Sequence, residues 1–359
     1  MGDIVTKEEL FKIEIDKPDS NAYDAACRHW DGIAKPLDGL GRFEDMVKKI
    51  AAATGSADVD ISKKAVVIMC ADNGITEEGV SQSGCDVTAI VSANMAKEIA
   101  SVCRMAKIAD ADCFPVNIGI KFDVKEDNLI DRRIANGTKN FLKEPAMTEN
   151  EVLDAFLTGI DIVRELKSKG YNIIATGEMG IGNTTTSSAI ASVLLNKSVQ
   201  SVTGSGAGLD NEGIKNKINV IERAIKKYGF NPKSDVWEIL RCVGGLDIAG
   251  LSGVFAGGAI HHIPVVIDGV ISAVAALVAE KLLEGCHNYM LPSHAGREPA
   301  CREILNELCL VPVIDADLAL GEGTGAVLLF PMLDMAMEVY RENTTFDDIN
   351  IGQYVRYGK

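Results

Sequence analysis

A carboxylate set inside a glycine turn is the first feature of this sequence that could do chemistry. Glu178 lies in Gly177-Glu-Met-Gly-Ile-Gly-Asn-Thr-Thr185, which follows the apolar run 172–176 and precedes a helical pattern. Glycines let backbone amides crowd together, and the start of a helix, here capped by Asn183 or the threonines, attracts anions. The segment predicts a strand, a phosphate-binding turn and a helix. Turn geometry without a ligand is the alternative interpretation.

A second carboxylate, Glu322, is flanked by glycines in Leu320-Gly-Glu-Gly-Thr-Gly-Ala326, and an apolar helical pattern follows over 327–337. A carboxylate on a bare glycine turn can project into a pocket, where removal from water raises its pKa toward the range useful to a general base. The two turns invite comparison with the paired carboxylates of glycosyl transfer. One carboxylate would stabilise cationic character while the other takes a proton.

Further glycine and acid clusters follow other strand candidates. Thr203-Gly-Ser-Gly-Ala-Gly-Leu-Asp210 permits close backbone approach to a ligand, and Lys215 or Lys217 at the start of the next helix could pair with a phosphate. Asp268-Gly269 places an acid at another strand end. A solvated lysine and a simple turn are the alternatives. Because ligands gather at the carboxyl ends of parallel strands, we expect these clusters to converge.

The elements that must position these residues alternate along the chain. Short β-branched runs predict strands at 64–70, 113–119, 173–175, 200–203, 263–267 and 311–314. Longer amphipathic or apolar segments predict helices at 42–53, 87–107, 216–228, 270–283 and 327–337, and the tail over 330–340 is also predicted to be helical. The alternation predicts an α/β fold: a doubly wound, mainly parallel sheet flanked by helices, Rossmann-like. The apolar segment 252–260 would pack in the core or against a second copy.

Length and polarity suggest two units of unequal size in the 359-residue chain. We expect residues 59–335 to form the α/β domain. Residues 1–58 and 336–359 would form a smaller helical subdomain.

Composition excludes several classes of function. The net charge of -15 argues against nucleic acid or an anionic membrane as a partner, since both would be repelled. The sequence has no stretch near the roughly 20 apolar residues of a membrane span, and its N-terminus lacks a secretory pattern. Nine cysteines without a Cys-x-x-Cys pair and five histidines without ligand spacing predict reduced thiols and no metal site. We therefore expect a soluble cytoplasmic protein that binds small molecules.

Five motifs together resemble the nicotinate-nucleotide:dimethylbenzimidazole phosphoribosyltransferase family of cobamide assembly. They are segments 177–185 and 320–326 with Ala71-Asp-Asn-Gly74, Glu78-Gly-Val80 and Pro145-Ala-Met-Thr148. The likeness runs from Lys35-Pro36 to Pro331 in the family's order. It implies transfer of the phosphoribosyl group of nicotinate mononucleotide to a benzimidazole, with inversion at the anomeric carbon.

The resemblance also implies roles for individual residues. Glu322 would be the base that takes the N–H proton of the entering azole, and Glu178 would position ribose and phosphate. The donor site would comprise Glu178, Gly180, Ile181, Gly182, Asn183, Gly206, Lys217, Asp268, Gly269, Gly321 and Gly323. The acceptor site would comprise Ser83, Val91, Met179 and Leu320. No metal or cofactor is implied, because the donor has no pyrophosphate to clamp, and family members are homodimers.

Two residues depart from the family pattern. Val91 stands where a glutamine is expected near the acceptor, and Gly296 stands where a serine is common near the phosphate. An apolar residue at 91 leaves room for a purine, a substituted benzimidazole or a phenol as acceptor. The phenol would point to relatives that act as pairs of paralogous subunits.

Two other classes of protein stay open on the sequence. A nicotinamide-dependent oxidoreductase would explain glycine turns in a parallel sheet, but no Gly-x-Gly-x-x-Gly with a following acid succeeds the first strand. A non-catalytic partner subunit would keep the fold without the chemistry, and the presence of both Glu178 and Glu322 argues against it.

Overall fold

A single parallel sheet of six strands organises residues 6–356, the part of the chain that the computed structural model describes. The strands are β1 (Lys64–Ala71), β2 (Ala111–Gly119), β3 (Ile130–Asp131), β4 (Ile173–Met179), β5 (Val265–Ile267) and β6 (Met290–Pro292). Their spatial order is β3-β2-β1-β4-β5-β6, and every neighbouring pair is parallel. The chain reverses its direction of travel between β1 and β4, which opens a crevice at their carboxyl ends.

Helices cover both faces of this sheet. They are α1 (Lys7–Leu10), α2 (Ser20–Gly32), α3 (Arg42–Thr54), α4 (Asp86–Ala96), α5 (Ser101–Ile108), α6 (Glu149–Ser168), α7 (Asn183–Leu194), α8 (Val199–Val202), α9 (Asn211–Tyr228), α10 (Val236–Val243), α11 (Leu246–Ile260), α12 (Val270–Leu282), α13 (Pro299–Glu307) and α14 (Thr324–Glu342). Two 3₁₀ helices span Gly74–Glu78 and Cys286–Tyr289.

The alternation of side chains along β1 divides the core into two layers. Val67 and Met69 join a cluster with α6, α11 and α12, whereas Val66 and Ile68 join a second cluster with α3, α5 and α14. All eight residues of β1 are buried, because helices cover the strand on both sides. The predicted doubly wound α/β fold is confirmed.

Helix α11 shows where the apolar segment 252–260 lies. It is buried along almost its whole length and packs closely on α6, so that a Cβ on Gly253 would lie 1.9 Å from the carbonyl oxygen of Phe156. The segment therefore packs in the core, which is one of the two alternatives expected from the sequence.

Two of the predicted strands are wrong. Residues 200–203 fall in the short helix α8 and its C-terminal cap, because Ser198 caps that helix by accepting a hydrogen bond from the Ser201 N–H. Residues 311–314 contribute a single parallel bridge, Ile314 with His294, and no strand. The short strands β3 and β6 had no recognisable sequence signal.

The helix predicted over 87–107 is two helices. Helix α4 ends at Ala96, and the chain turns through Glu98 with a left-handed φ of 59° before α5 begins at Ser101. This break exposes the amino end of α5, and that end contributes to the candidate site.

In the region of the expected helical subdomain, α2 and α3 pack on each other. Helix α14 runs through the expected boundary at 335/336, so that boundary falls inside one continuous helix. Residues 1–5 and 357–359 of the expected subdomain lie outside the described residues. The division of the chain into two units stays a proposal.

Candidate functional site

A cleft of about 1140 Å³, its open mouth included, lies at the carboxyl ends of the central strands. Its walls come from residues within six segments, 80–82, 178–184, 205–209, 268–272, 294–298 and 318–322. Four of these six segments belong to the clusters that the sequence singled out. They converge because each follows a strand, or leads into a helix, at the same edge of the sheet.

The turn after β4 is held against the end of β1. A Cβ on Gly180 would lie 2.5 Å from the carbonyl oxygen of Ala71, so only glycine fits there. Gly182 is the N-cap of α7 with a left-handed φ of 96°. The Ile181 N–H donates to Thr88 Oγ1 at 3.2 Å, which ties the turn to α4. The Asn183 side-chain amide donates a short hydrogen bond to Glu178 Oε2.

Glu178 is buried at the base of the cleft. Burial raises its pKa to about 8, the carboxylates of Asp247 and Asp268 add to the rise, and the hydrogen bond from Asn183 opposes it. Burial thus favours the neutral acid form of Glu178. A neutral acid does not repel an anionic ligand in the same cleft, whereas an ionised carboxylate would.

Glu322 is carried on three consecutive residues with left-handed backbone. The φ angles are 81° at Gly321, 62° at Glu322 and 99° at Gly323, and the middle one is uncommon for a residue with a side chain. Glu322 Oε2 accepts a hydrogen bond of 3.3 Å from the Val102 N–H in the first turn of α5. Partial burial raises the pKa of Glu322, the Val102 N–H opposes this, and Asp268 adds to it.

Asp268 fixes the start of α14 and with it the Glu322 turn. Its Oδ1 accepts from the Ala326 N–H at 2.9 Å, and its Oδ2 accepts from the Gly323 N–H at 3.2 Å. Asp268 therefore caps a helix that begins 56 residues later, at Thr324. The resemblance implied a donor-binding role, and the geometry adds a structural one.

A buried ammonium lies directly behind the far end of the cleft. Lys217 is 0% exposed, and its Nζ donates to Thr184 Oγ1 at 2.8 Å and to the Gly204 carbonyl at 3.3 Å. Burial lowers its pKa to about 8, and the negative charge of Glu298 opposes that shift. The Gly206 N–H donates to Glu298 Oε1 at 3.0 Å. This end combines a cation with a backbone donor, as an anion site requires.

Most of the expected site residues line this one cleft. They are Glu178, Met179, Gly180, Ile181, Gly182, Asn183, Gly206, Asp268, Gly269, Leu320, Gly321 and Glu322. Lys217 and Gly323 lie directly behind the wall, where they bond to Thr184 and Asp268.

Ser83 and Val91 are placed differently from the other expected residues. Ser81 and Gln82, which precede Ser83, line the cleft, whereas Ser83 and Val91 do not. Val91 is half-buried on α4 and packs against the second core cluster. Its part in acceptor binding stays a prediction.

The segment after β6 holds residues that the sequence analysis did not assign. The Ser293 hydroxyl donates to the Ile267 carbonyl at 2.6 Å, so toward His294 Nδ1, 2.9 Å away, it must act as acceptor. His294 therefore carries its proton on Nδ1 when the ring is neutral. Glu298 also lines the cleft. In the sequence, the only indication that this segment belongs to the site was that its polar residues surround Gly296, which departs from the family pattern.

Two classes of feature are missing from the described part of the chain. Within residues 6–356, no three His, Cys, Asp or Glu side chains are grouped so that they could hold a metal ion. No helix in that range is both long and apolar enough to cross a membrane.

The chain is similar to known phosphoribosyltransferases in sequence and in fold. A family model described as Phosphoribosyltransferase matches residues 15–351. A nicotinate-nucleotide--dimethylbenzimidazole phosphoribosyltransferase of Ruminiclostridium cellulolyticum is 46% identical over 92% of this chain and 93% of its own. The enzyme of that name from Acetivibrio thermocellus is 44% identical over 92% of this chain and 94% of its own.

A crystal structure of the enzyme with that name from Thermus thermophilus is 32% identical. It superposes with a TM-score of 0.87 over 94% of this chain and 100% of its own. The resemblance inferred from five sequence motifs is confirmed. The matches cover nearly the whole chain, and the chain therefore belongs to the phosphoribosyltransferase family.

Proposed function

We propose that this protein transfers the phosphoribosyl group of nicotinate mononucleotide to a benzimidazole-type base. The products are nicotinate and α-ribazole phosphate, as in nucleotide-loop assembly of cobamides. The observation that carries the proposal is the placement of Glu178 and Glu322 in one cleft whose far end offers an ammonium and a backbone donor to a phosphate. The names and high identities of its relatives support the same reaction.

The reaction balances with one proton acceptor. The bond between the anomeric carbon and the pyridinium nitrogen breaks, and its electron pair returns to the ring, so nicotinate leaves without needing an acid. An azole nitrogen forms the new bond from the opposite face. The azole must then lose its N–H proton, and Glu322 is the carboxylate proposed to take it. A positioned base of this kind typically contributes about 10²- to 10⁴-fold in rate.

Glu322 suits this role because its position is fixed. The Val102 N–H holds Oε2, and Asp268 holds the turn that carries the residue. Partial burial strengthens the carboxylate as a base by raising its pKa. Proximity in a cleft with little water would supply the rest of the acceleration.

The donor would lie along the glycine turn that follows Glu178, with its far end toward Lys217. Its ribose would contact Glu178 and Asn183, and its phosphate would reach Gly206 and Lys217. Thr184 joins the two halves, because it follows Asn183 in α7 and accepts from Lys217. Gly180, Ile181, Gly182, Asp268, Gly269, Gly321 and Gly323 complete the proposed donor site. No cofactor takes part in the proposed reaction.

The acceptor would lie on the apolar side of the cleft. Met179 and Leu320 line it, and Ser83 and Val91 are proposed from the resemblance to border it. This wall would determine which base is preferred as acceptor. A substituted benzimidazole, a purine and a phenol are therefore the acceptors to compare.

We also infer a homodimer in the cytoplasm. Apolar side chains are exposed on the adjacent helices α5 and α14, where Ile108 is 84% and Met335 is 64% exposed. The nine cysteines are all unpaired, which fits a reducing compartment. Analytical ultracentrifugation of the protein and of Met335→Glu tests the dimer. A wild-type monomer would contradict it.

Release of nicotinate tests the reaction itself. The protein is mixed with nicotinate mononucleotide and, in turn, 5,6-dimethylbenzimidazole, adenine or a phenol, and nicotinate is quantified by chromatography. We expect acceptor-dependent release that Glu322→Gln lowers about 10²-fold or more. The matched control is Glu342→Gln, at the exposed C-terminal end of α14. Unchanged transfer by Glu322→Gln would contradict the assignment of the base.

A further inference from the structure

The side chain of Glu298 reaches from the start of α13 into the anion-binding end of the cleft. Its Oε1 accepts the Gly206 N–H at 3.0 Å. A Cβ on Gly204 would lie only 2.1 Å from Oε2, so the carboxylate rests against the bare Cα of that glycine. The side chain does not cap its own helix, although Glu298 is the N-cap residue of α13.

The surroundings of this carboxylate are those of a bound anion. Lys217 is completely buried, its two hydrogen-bond acceptors are neutral, and Glu298 is the group whose negative charge favours its charged form. Gly206 has a left-handed φ of 52°, and a Cβ on it would lie 3.4 Å from Lys217 Nζ, so the loop passes beside the ammonium. A buried ammonium with a backbone N–H is the combination that binds phosphate in proteins.

We propose that the carboxylate of Glu298 occupies the phosphate subsite until the phosphate of the donor displaces it. The inference rests on the proposed function, because it takes the donor to be a mononucleotide. Glu298 is thereby a specificity-determining residue. When no ligand is bound, its negative charge favours the charged form of Lys217, and it sets the affinity for phosphorylated donors through competition.

Competition follows from charge and from space. A phosphate dianion and a carboxylate cannot both accept the Gly206 N–H, and two anions a few ångströms apart repel each other strongly in a partly buried site. A donor without phosphate would leave Glu298 in place. Affinity for a nucleoside should therefore be indifferent to this residue, whereas affinity for a nucleotide should depend on it.

Calorimetric titration of the full-length protein with inorganic phosphate tests the proposal without any need for transfer. We expect Glu298→Gln to bind phosphate roughly tenfold more tightly than the wild type, as removal of one nearby like charge implies. Glu303→Gln is the matched control, because Glu303 lies on the same helix, pairs with the surface Lys197 at 2.8 Å and loses the same charge. Its phosphate affinity should stay that of the wild type.

Steady-state kinetics provide a second readout. The KM for nicotinate mononucleotide should fall several-fold in Glu298→Gln, whereas the KM for nicotinate riboside should not change. If Glu298→Gln fails to fold, Glu298→Ala gives the same comparison, since no cap of α13 is lost.

Equal or weaker phosphate binding by the variants would overturn the proposal and show that Glu298 supports the loop. That result leaves the proposed reaction intact, because nicotinate release by the wild type is measured separately. Absence of release, with phosphate binding enhanced in Glu298→Gln, would instead refute the reaction and retain the competing carboxylate.

Discussion

Gly177 in β4 lies directly against the backbone of Glu322. A Cβ at residue 177 would be 2.3 Å from the Glu322 carbonyl oxygen and 2.8 Å from its carbonyl carbon. The strand that leads to one glutamate of the cleft is therefore also the surface on which the other glutamate rests. This contact makes the separation of Glu178 and Glu322 a property of the fold.

Gly177→Ala is expected to displace the Glu322 turn. The backbone of 322 must move, because a Cβ cannot approach a carbonyl oxygen this closely. A displacement of about 1 Å can lower kcat by up to about 10²-fold, and overpacking of this kind costs about 1–3 kcal/mol of stability. Nicotinate release and thermal unfolding are the measurements. The control is Gly352→Ala, where an added Cβ meets nothing within 4 Å; equal activity of the two variants would contradict the expectation.

The pH dependence of kcat should show the ionisation of Glu322. The base must be ionised to accept a proton, and partial burial raises its pKa above the ordinary 4.5. Activity should therefore fall as pH drops through that raised value, at a higher pH than for a free glutamate. Glu322→Gln should lack this acid limb in its residual activity. The same limb in the variant would assign it to another group.

Stability as a function of pH should report on Glu178. Its pKa is about 8 in the folded protein and near 4.5 in the unfolded chain, so the folded state favours the neutral acid. The contribution to stability is full below about pH 4.5, declines as pH rises and is lost above about pH 8. Glu178→Gln, which cannot ionise, should gain stability relative to the wild type on going from pH 5 to pH 9. Urea unfolding at both pH values measures the gain; an unchanged difference would mean that Glu178 ionises freely.

Asp268→Asn should weaken the start of α14 while leaving the strand below it intact. Loss of one of the two backbone hydrogen bonds should lower the free energy of unfolding by about 1 kcal/mol. Because Gly323 is one of the donors, kcat should fall as well. Asp19→Asn is the control, since Asp19 caps α2 far from the cleft. A loss of stability without any loss of kcat would show that the capping by Asp268 does not affect catalysis.

Acceptor binding should depend on the apolar wall at Met179. Met179→Ala removes a side chain that lines the cleft, and we expect the KM for dimethylbenzimidazole to rise roughly tenfold or more. The KM for the donor should change little. Val91→Gln should be tested with the same acceptors. Because Val91 is half-buried beside the core, we also expect this substitution to lower the stability of the protein. An altered acceptor ranking in Val91→Gln would support its predicted place at the acceptor.

The sequence predicted the layers of the fold better than its shorter elements. Long periodic segments such as 216–228 and buried runs such as 64–70 carry their own signal, and both are found as α9 and β1. The β-branched run at 200–203 was misassigned because a serine cap and tertiary packing outweigh the propensity of four residues. Strand β3, with two residues, exists only because β2 offers it an edge.

For the site, the sequence by itself determined the chemistry that is available. The two Gly-Glu turns, the glycine loop and Lys217 are local patterns, and the two turns together with three shorter motifs were sufficient to indicate the family.

Only the tertiary structure decided how these groups act on one another. The Val102 N–H beneath Glu322, the capping of α14 by Asp268 and the carboxylate of Glu298 against Gly206 join residues between 55 and 220 positions apart. Contacts at such separations depend on how the chain crosses the sheet, and burial, which sets the pKa of Glu178, arises only when the surrounding helices pack.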